Sequence, residues 1–442
     1  MQSIVEEIKN HFKNDDDFFI LKEHFVNAPV VLLGFKSLVD IPKTLEAIQN
    51  KIESIFLIEK TFDQLMHWIG LVKENNLNEA ISALVEGNLL ILLQTEINKY
   101  VIVEPVSQSL NRAVSLPTNE NVIQGPLNSF TEDINTNIGI VRKQISSEKL
   151  HTKSYSVGTK RKRNLSVLYF ENNASMAIFN NFEKQIEKNL SIDINNLQDF
   201  SKMLGFSPWI AVSKFNSTEL PQEATNALLK GRVIVFVDRI ALALVLPGLF
   251  WDMFALENDR NYPIPLTITM RSLRIIGFLL ALILPALYVA LVAVNPEVLR
   301  IEIALSIAQS RNGVPYPALV EIILMLIILE LIIEASIRLP KSVGPTITMV
   351  GGIIIGQAVV EAKLVSNLLI IILAATTIAN STIVGFQNSY SIRLFKYVVA
   401  ILAAFYGILG IMAGIVLVCT YLSGISTFGI PYLSINSAKE EN

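Results

Sequence analysis

Two related α/β subdomains followed by a helical transmembrane domain of about five spans is the fold class this sequence predicts, α/β joined to a membrane all-α part. Three observations predict it: a mean hydropathy of +0.47 over 442 residues, a sharp fall in charge density near Asn261, and an internal repeat upstream of that point. Hydropathy this high points to the membrane. Residues 1–260 carry 26 basic and 31 acidic side chains, whereas residues 261–442 carry 10 and 8. The first part reads as water-soluble and the second as lipid-embedded. Met1 to Asp17 is polar and acidic, without the apolar core of a signal peptide, so the soluble part is expected in the cytosol.

The same composition excludes several classes. The one cysteine, Cys419, rules out a disulfide framework and any Cys-rich metal site, and a net charge of -3 gives no electrostatic case for nucleic acid. Disorder is excluded because 51% of residues are apolar. The expected organisation is an N-terminal α/β subdomain over 1–145, a linker over 146–164, a second α/β subdomain over 165–258, a helical membrane domain over 259–435 and a tail over 436–442.

The repeat justifies the two subdomains. Glu79 to Gly87 (EAISALVEG) is echoed by Glu223 to Gly231 (EATNALLKG), and each glycine is followed by an apolar run, Leu89 to Leu93 or Val233 to Val237. Upstream, Pro29 to Phe35 matches Leu165 to Phe170. Each copy reads as strand, helices, a helix ending at a glycine, then a β-hairpin, since glycine supplies the left-handed conformation just past a helix. Val233 to Phe250 is apolar enough to imitate a span, but Asp238 and Arg239 in its middle favour a buried hairpin. The basic run Lys160-Arg161-Lys162-Arg163 reads as a solvated linker end or as a patch against anionic lipid headgroups.

Five apolar segments justify the membrane domain: approximately Ser272 to Val294, Tyr316 to Ile337, Gly344 to Glu361, Leu364 to Phe386 and Leu394 to Leu422. A span needs about 20 residues, so the third is short, and re-entry is the alternative there. With all five crossing, Arg271, Arg274, Arg338, Lys341, Arg393 and Lys396 fall inside and Arg300, Arg311 and Lys363 outside, which predicts an outward C-terminal tail. Ile301 to Ile307 is expected to form a short interfacial helix.

Ionisable groups in membrane segments are costly, about 2.5–3.5 kcal/mol at a helix centre, and mark function by default. Glu330 and Glu334 share a face of the second segment, with Glu321 opposite. They line a water-filled cation path or, in the simpler reading, Glu334 pairs with Arg338 one turn on. Gly352 and Gly356 form a small-xxx-small packing seam; Gln357 and Glu361, which share a face, and Asn380, Thr376 and Thr377 either line a pore, with Gln357, Glu361 and Asn380 as gating candidates, or bond between helices, as expected for Thr376 and Thr377. Pro285 permits a kink. The four histidines have no metal-ligand spacing and no nucleotide, nucleophile-elbow or zinc-protease motif is present, so neither catalysis nor a cofactor is expected.

These residues carry a resemblance to a known family. Leu284 to Leu291 (LPALYVAL), Leu305 to Ala308, Arg311 to Pro317 (RNGVPYP), Ile337 to Pro340, Ile355 to Ala362 (IGQAVVEA), Phe428 to Leu433 (FGIPYL), and upstream Gly125-Pro126 with Phe130, Glu132, Thr136, Asn137 and Arg142 resemble, in order, the A subunits of bacterial spore germinant receptors, the GerA family. Two departures stand out: Leu127-Asn128 replaces the usual Arg-Glu after Gly-Pro, and Arg239 follows Asp238 where the family commonly has glycine. The resemblance implies a subunit in the spore inner membrane, with two cytosolic α/β subdomains, assembling as a ring of A subunits into a cation channel. Its implied partners are a transporter-like B subunit, which senses amino acids or sugars, and a C-subunit lipoprotein. A pore-free membrane scaffold and a secondary transporter are the competing functions, the latter disfavoured because the repeat lies in the soluble part.

Overall fold

The computed structural model describes residues 4–25, 28–56, 62–74, 76–93, 99–107, 128–340 and 343–435. The repeat becomes two five-stranded antiparallel sheets of the same strand order. The first contains α1 (Ile4–His11), β1 (Phe18–Phe25), β2 (Ala28–Phe35), α2 (Ile41–Phe56), α3 (Phe62–Ile69), β3 (Leu71–Glu74), α4 (Leu77–Val85), β4 (Leu89–Leu93) and β5 (Lys99–Val103). The second contains α5 (Ile134–Ile145), β6 (Leu150–Val157), β7 (Arg163–Phe170), α6 (Asn173–Lys188), α7 (Leu197–Met203), β8 (Asn216–Thr218), α8 (Pro221–Leu229), β9 (Val233–Val237) and β10 (Ala243–Leu246). Their orders are β1-β2-β4-β5-β3 and β6-β7-β9-β10-β8, and every neighbour is antiparallel. The repeated glycines sit just past α4 and α8 with φ of 98° and 78°, a conformation that side chains with a Cβ resist.

The apolar run at 233–250 is the hairpin β9–β10, and packing explains why it imitates a span. Val233, Val235 and Val237 enter the core beneath α6 and α7, while Ile234 and Phe236 enter the core beneath α5 and α8. A strand covered on both faces loses its polar alternation. Its turn uses Arg239 at φ 64°, so an arginine takes the left-handed place expected of glycine.

Two strands per copy escape the sequence reading. β1 and β6 are outer strands with alternating burial, and their polar faces hide them: β6 is LHTKSYSV. The segment 146–164 expected as linker therefore holds β6 and the start of β7. Likewise α5 packs on the second sheet through Ile134, Ile138 and Val141, and Phe130 stacks edge-on against Phe236 at 4.9 Å. Packing thus assigns residues from Phe130 onward to the second sheet, earlier than the boundary expected at 145. The tail at 436–442 lies outside the described residues.

Two short turns, Phe250–Met253 and Glu257–Asn261, lead into the helical part: α9 (Ile264–Val289, continued by a π turn to Val294), α10 (Ile301–Ser310), α11 (Ala318–Arg338), α12 (Gly344–Glu361), α13 (Asn367–Ser381) and α14 (Phe386–Ser423), then a small hairpin of β11 (Ser426–Thr427) and β12 (Ile430–Pro431). Two helices, Ile264–Val294 and Gln387–Ser423, are long and apolar enough to cross a membrane by length and composition. Their outer faces are apolar: Ile264 is 75% exposed and Leu409 77%.

The helix that contains the second of these, α14, is not one rod. An unbroken helix of its 38 residues would reach about 57 Å, but Gly407 has φ 61° and ψ -133°, and the chain reverses there. A Cβ placed on Gly414 would lie 3.1 Å from Val399 Cα, fifteen residues earlier and about 22 Å away in a straight helix. Farther down, Ser391 Oγ donates to Ala211 O and the Tyr421 hydroxyl accepts from Ala211 N at 2.8 Å, so residues 391 and 421 stand at one level. α14 is a pair of antiparallel arms, Phe386 to Tyr406 and Ile408 to Ser423.

The bundle consequently has two ends. Contacts Val384 N to Met253 O, Arg274 to Phe254 O, and Phe250 N to Tyr432 O gather one end against the α/β sheets. Asn295 with Ile408, and Gly313 with Lys363, gather the other. α9, α11, α12, α13 and the two arms run alternately between them, six passages in place of the five expected. An even number returns the chain to its starting side: β11–β12 docks on the second subdomain, where Asn181 Nδ2 donates to Phe428 O at 3.2 Å. The outward tail expected from counting apolar runs is therefore corrected. A single glycine within an apolar run marks this turn too weakly for a hydropathy reading to see it.

Candidate functional site: an ion-paired seam in the bundle

Glu330 and Glu334 both face α14, as their spacing requires, and both are occupied. Glu330 accepts from Arg393 at 3.0 Å and from Lys396 at 2.8 Å. Glu334 accepts from Arg338 at 2.7 Å and from the Tyr390 hydroxyl at 3.1 Å. Arg393 lies 4.8 Å over the Tyr390 ring and Lys396 5.4 Å from the Tyr397 ring. The two pairs differ in setting: the Lys396 side chain is 8% exposed, whereas that of Arg338 is 77% exposed. Glu330 is thus the partly buried charge compensated by two cations, and Glu334 a rim charge.

Two carboxylates against three cations leave this seam with one excess positive charge, and the buried Nε of Arg393 has no hydrogen-bond partner among the described residues. In this arrangement both carboxylate oxygens of Glu330 are occupied by cations of α14. The basic residues used at sequence level to orient the bundle, Arg393 and Lys396, are the partners that the same reading missed. A contact between residues 63 and 66 positions apart leaves no local signal.

Glu321, on the opposite face, is fully buried and accepts from Ser366 N at 2.6 Å and from the Tyr288 hydroxyl at 3.2 Å, with Arg311 at 3.5 Å. This cluster ties α9, α11 and α13 together near the far end. Asn380 donates to Ser389 Oγ at 2.9 Å and joins α13 to α14. Thr376 and Thr377 do not bond between helices; they donate to Ile372 O and Leu373 O of their own helix, which satisfies the hydroxyls locally. Pro285 is buried within α9.

On α12 Gln357 and Glu361 bond to each other at 3.0 Å and are exposed. The seam expected at Gly352 and Gly356 is unused within the chain, because a Cβ at either would meet nothing within 4 Å. The close approaches fall on other glycines: Gly277 against Thr382 and Ala379, and Gly410 and Gly414 between the arms of α14.

In the soluble part, Gly125 and Pro126 lie outside the described residues. Glu132 offers its backbone carbonyl to Arg239 N, and Asn137 folds back on Thr131, accepting from its amide at 2.8 Å and donating to its carbonyl at 2.7 Å. Arg142 joins the two sheets. From α5 it reaches Asp15 at 2.5 Å and Asp17 at 2.7 Å, with its guanidinium 4.1 Å over the Phe35 ring. Burial pushes the Asp15 carboxyl up against the pull of Arg142, with Asp17 adding to the push. Burial also acts to lower Arg142, but the two carboxylates outweigh it and hold the cation firmly charged. Asp15 and Asp17 went unread in the sequence, where the acidic run looks like a solvated terminus.

The basic run 160–163 lies in the turn between β6 and β7 and ends on the first residue of β7, and the Lys160 and Arg161 amides donate to Asp193 at 3.0 and 3.1 Å. It occupies the end of the sheet opposite Leu246, from which the chain leaves for α9.

Fold and seams define a two-part protein, duplicated antiparallel α/β sheets joined to an apolar helical bundle held by interior ion pairs. A family model described as Bacillus/Clostridium GerA spore germination protein matches residues 6–441, and the chain belongs to that family. Spore germination protein A1 of Bacillus subtilis is 29% identical over 431 residues, 96% of this chain and 88% of the relative. The uncharacterized membrane protein YfkQ of Bacillus subtilis is 30% identical over 379 residues, 85% of this chain and 73% of the relative. The N-terminal domain of the A subunit of the Bacillus megaterium spore germinant receptor GerK3 is 23% identical, with a TM-score of 0.40, over 56% of this chain and 94% of that one.

Proposed function

We propose that this chain is the A subunit of a nutrient germinant receptor in the spore inner membrane, and that copies of it assemble into a nutrient-gated cation channel. Family membership across the chain supports the first statement. The observation that carries the second is the seam of Glu330 with Arg393 and Lys396 inside an apolar bundle, a set of charges that is costly in lipid unless it has a use. The unpacked face of α12, with open glycines beside exposed Gln357 and Glu361, supports assembly of copies around that helix. Six crossings, with both arms of α14 counted, keep the α/β sheets and the tail hairpin in the cytosol. The B subunit and C lipoprotein complete the receptor, and the shift from closed to open assembly follows whichever partner binds nutrient more tightly in the open state.

The test is nutrient-triggered release of monovalent cations from spores carrying Glu330→Gln or Gln357→Leu. Altered release rate or ion selectivity is expected. Release that matches the parent for both variants, with the chain present at normal level, sinks the channel and leaves a scaffold.

A further inference from the structure

The second subdomain carries a groove of about 490 Å³ between α6, the loop after α7 and the hairpin β11–β12. Asn181, Lys184, Gln185 and Lys188 recur at i, i+3, i+4 and i+7 and so make one face of α6, which forms a wall of the groove. Lys214 enters from the other side, its Nζ 4.4 Å from the centre of the Phe206 ring. No carboxylate lines the groove, and three ammonium groups do.

Among the described residues none of the three ammonium groups forms an ion pair. Lys184 and Lys188 are exposed like charges one turn apart, an arrangement that repels along a helix. The adjacent Glu183 turns away and accepts from the Tyr155 hydroxyl at 2.9 Å. Lys214 is half-buried, and loss of solvent holds its ammonium below the usual lysine range. An anion placed among the three would relieve both the repulsion and the desolvation. Lysine meets phosphate as a point charge, and a dianionic or larger phosphate answers three such charges better than a single carboxylate does.

The groove exists because the tail hairpin closes it. Phe428 packs 5.6 Å from the Phe206 ring and 6.0 Å from the Phe182 ring, and its carbonyl is held by Asn181. The backbone at Phe428 and Gly429 is left-handed, with φ of 53° and 84°, the two-residue turn that closes the hairpin β11–β12. Four residues lie between the end of α14 at Ser423 and Phe428.

We propose that this groove binds a phosphate-bearing anion, either a free molecule or a lipid headgroup, and that occupancy fastens the second arm of α14 to the α/β subdomain. The inference stands apart from the channel reading, because its test measures binding alone. The full chain in phosphatidylcholine nanodiscs is titrated with inorganic pyrophosphate by calorimetry. Saturable binding is expected, weakened about tenfold or more in Lys184→Gln/Lys188→Gln, in Lys214→Gln and in Phe428→Ala, and unchanged in Lys160→Gln/Lys162→Gln. In discs that also contain phosphatidylglycerol, weaker pyrophosphate binding assigns the site to a headgroup, and unaltered binding assigns it to a soluble phosphate. Absence of saturable binding in phosphatidylcholine discs, or equal affinity in groove and control variants of unchanged melting temperature, overturns the proposal.

Discussion

Asn295 Oδ1 accepts a hydrogen bond from the Ile408 amide at 3.1 Å, so a side chain from the end of α9 caps the second arm of α14 just after the reversal at Gly407. A Cβ on Gly407 would collide with that same oxygen. Gly407→Ala therefore meets a forbidden backbone angle and a steric overlap together, and should cost about 2 kcal/mol or more. Asn295→Ala removes only the cap, for about 1 kcal/mol. Because the smaller side chain at 295 makes room for the new methyl, the double variant should lose less than the sum of the two. Thermal unfolding in detergent checks the order. In a Cys419→Ser background, Ser434→Cys should react with an impermeant maleimide from the same side as Ser207→Cys. Reaction from opposite sides would restore an odd number of crossings.

The two glutamates of the seam should behave differently. Glu330→Gln leaves the buried Lys396 and its neighbour Arg393 without a counter-charge, and because Glu330 is itself partly exposed the cost should fall below the about 3–5 kcal/mol of a fully buried pair. Glu334→Gln breaks an exposed i,i+4 pair, which solvent and salt screen, so the loss should be small. Comparable destabilisation of the two variants, measured by the same unfolding assay, would show that Glu330 is not the compensated member. Glu330→Gln combined with Lys396→Gln should recover part of the loss.

How much of this was legible in the sequence depends on how local each signal is. The repeat was, because helix, glycine and strand follow one another within about 15 residues, but the order of the strands in each sheet was not. The hairpin β9–β10 was, because Asp238 and Arg239 interrupt an otherwise apolar run. β1 and β6 were not, since outer strands keep polar faces and their partners are set by the whole sheet. The reversal at Gly407 was not, because one glycine among 21 reads as helix packing. The seam was half legible: the spacing of Glu330 and Glu334 put them on one face, but the identity of their partners is a property of helix packing alone.

Arg142 offers a contrast within one cluster. Arg142→Met leaves Asp15 and Asp17 facing each other in a buried site, and should cost about 3–5 kcal/mol. Asp15→Asn keeps an oxygen for the guanidinium and removes the surplus negative charge, so its cost should be much smaller. The comparison is made on melting temperature of the full chain. An Asp15→Asn variant as unstable as Arg142→Met would mean that both carboxylates are needed as charges, against the upward push that burial exerts on Asp15.

Lys230, just past α8, sets a pH dependence of definite sign. Burial first, then repulsion from Arg260 and Arg232, lowers its ammonium from 10.5 to about 8. Between those two values the unfolded chain binds this proton and the folded chain releases it. Stability attributable to Lys230 therefore rises as pH increases from about 8 towards 10.5, the reverse of a lysine held by an acid. Lys230→Met removes the titration and keeps the apolar stem. The stability difference between variant and parent should favour the variant below pH 8 and shrink steadily above it. Melting temperatures of both proteins taken at intervals across that range decide the matter, and a difference independent of pH would place Lys230 in a setting no different from water.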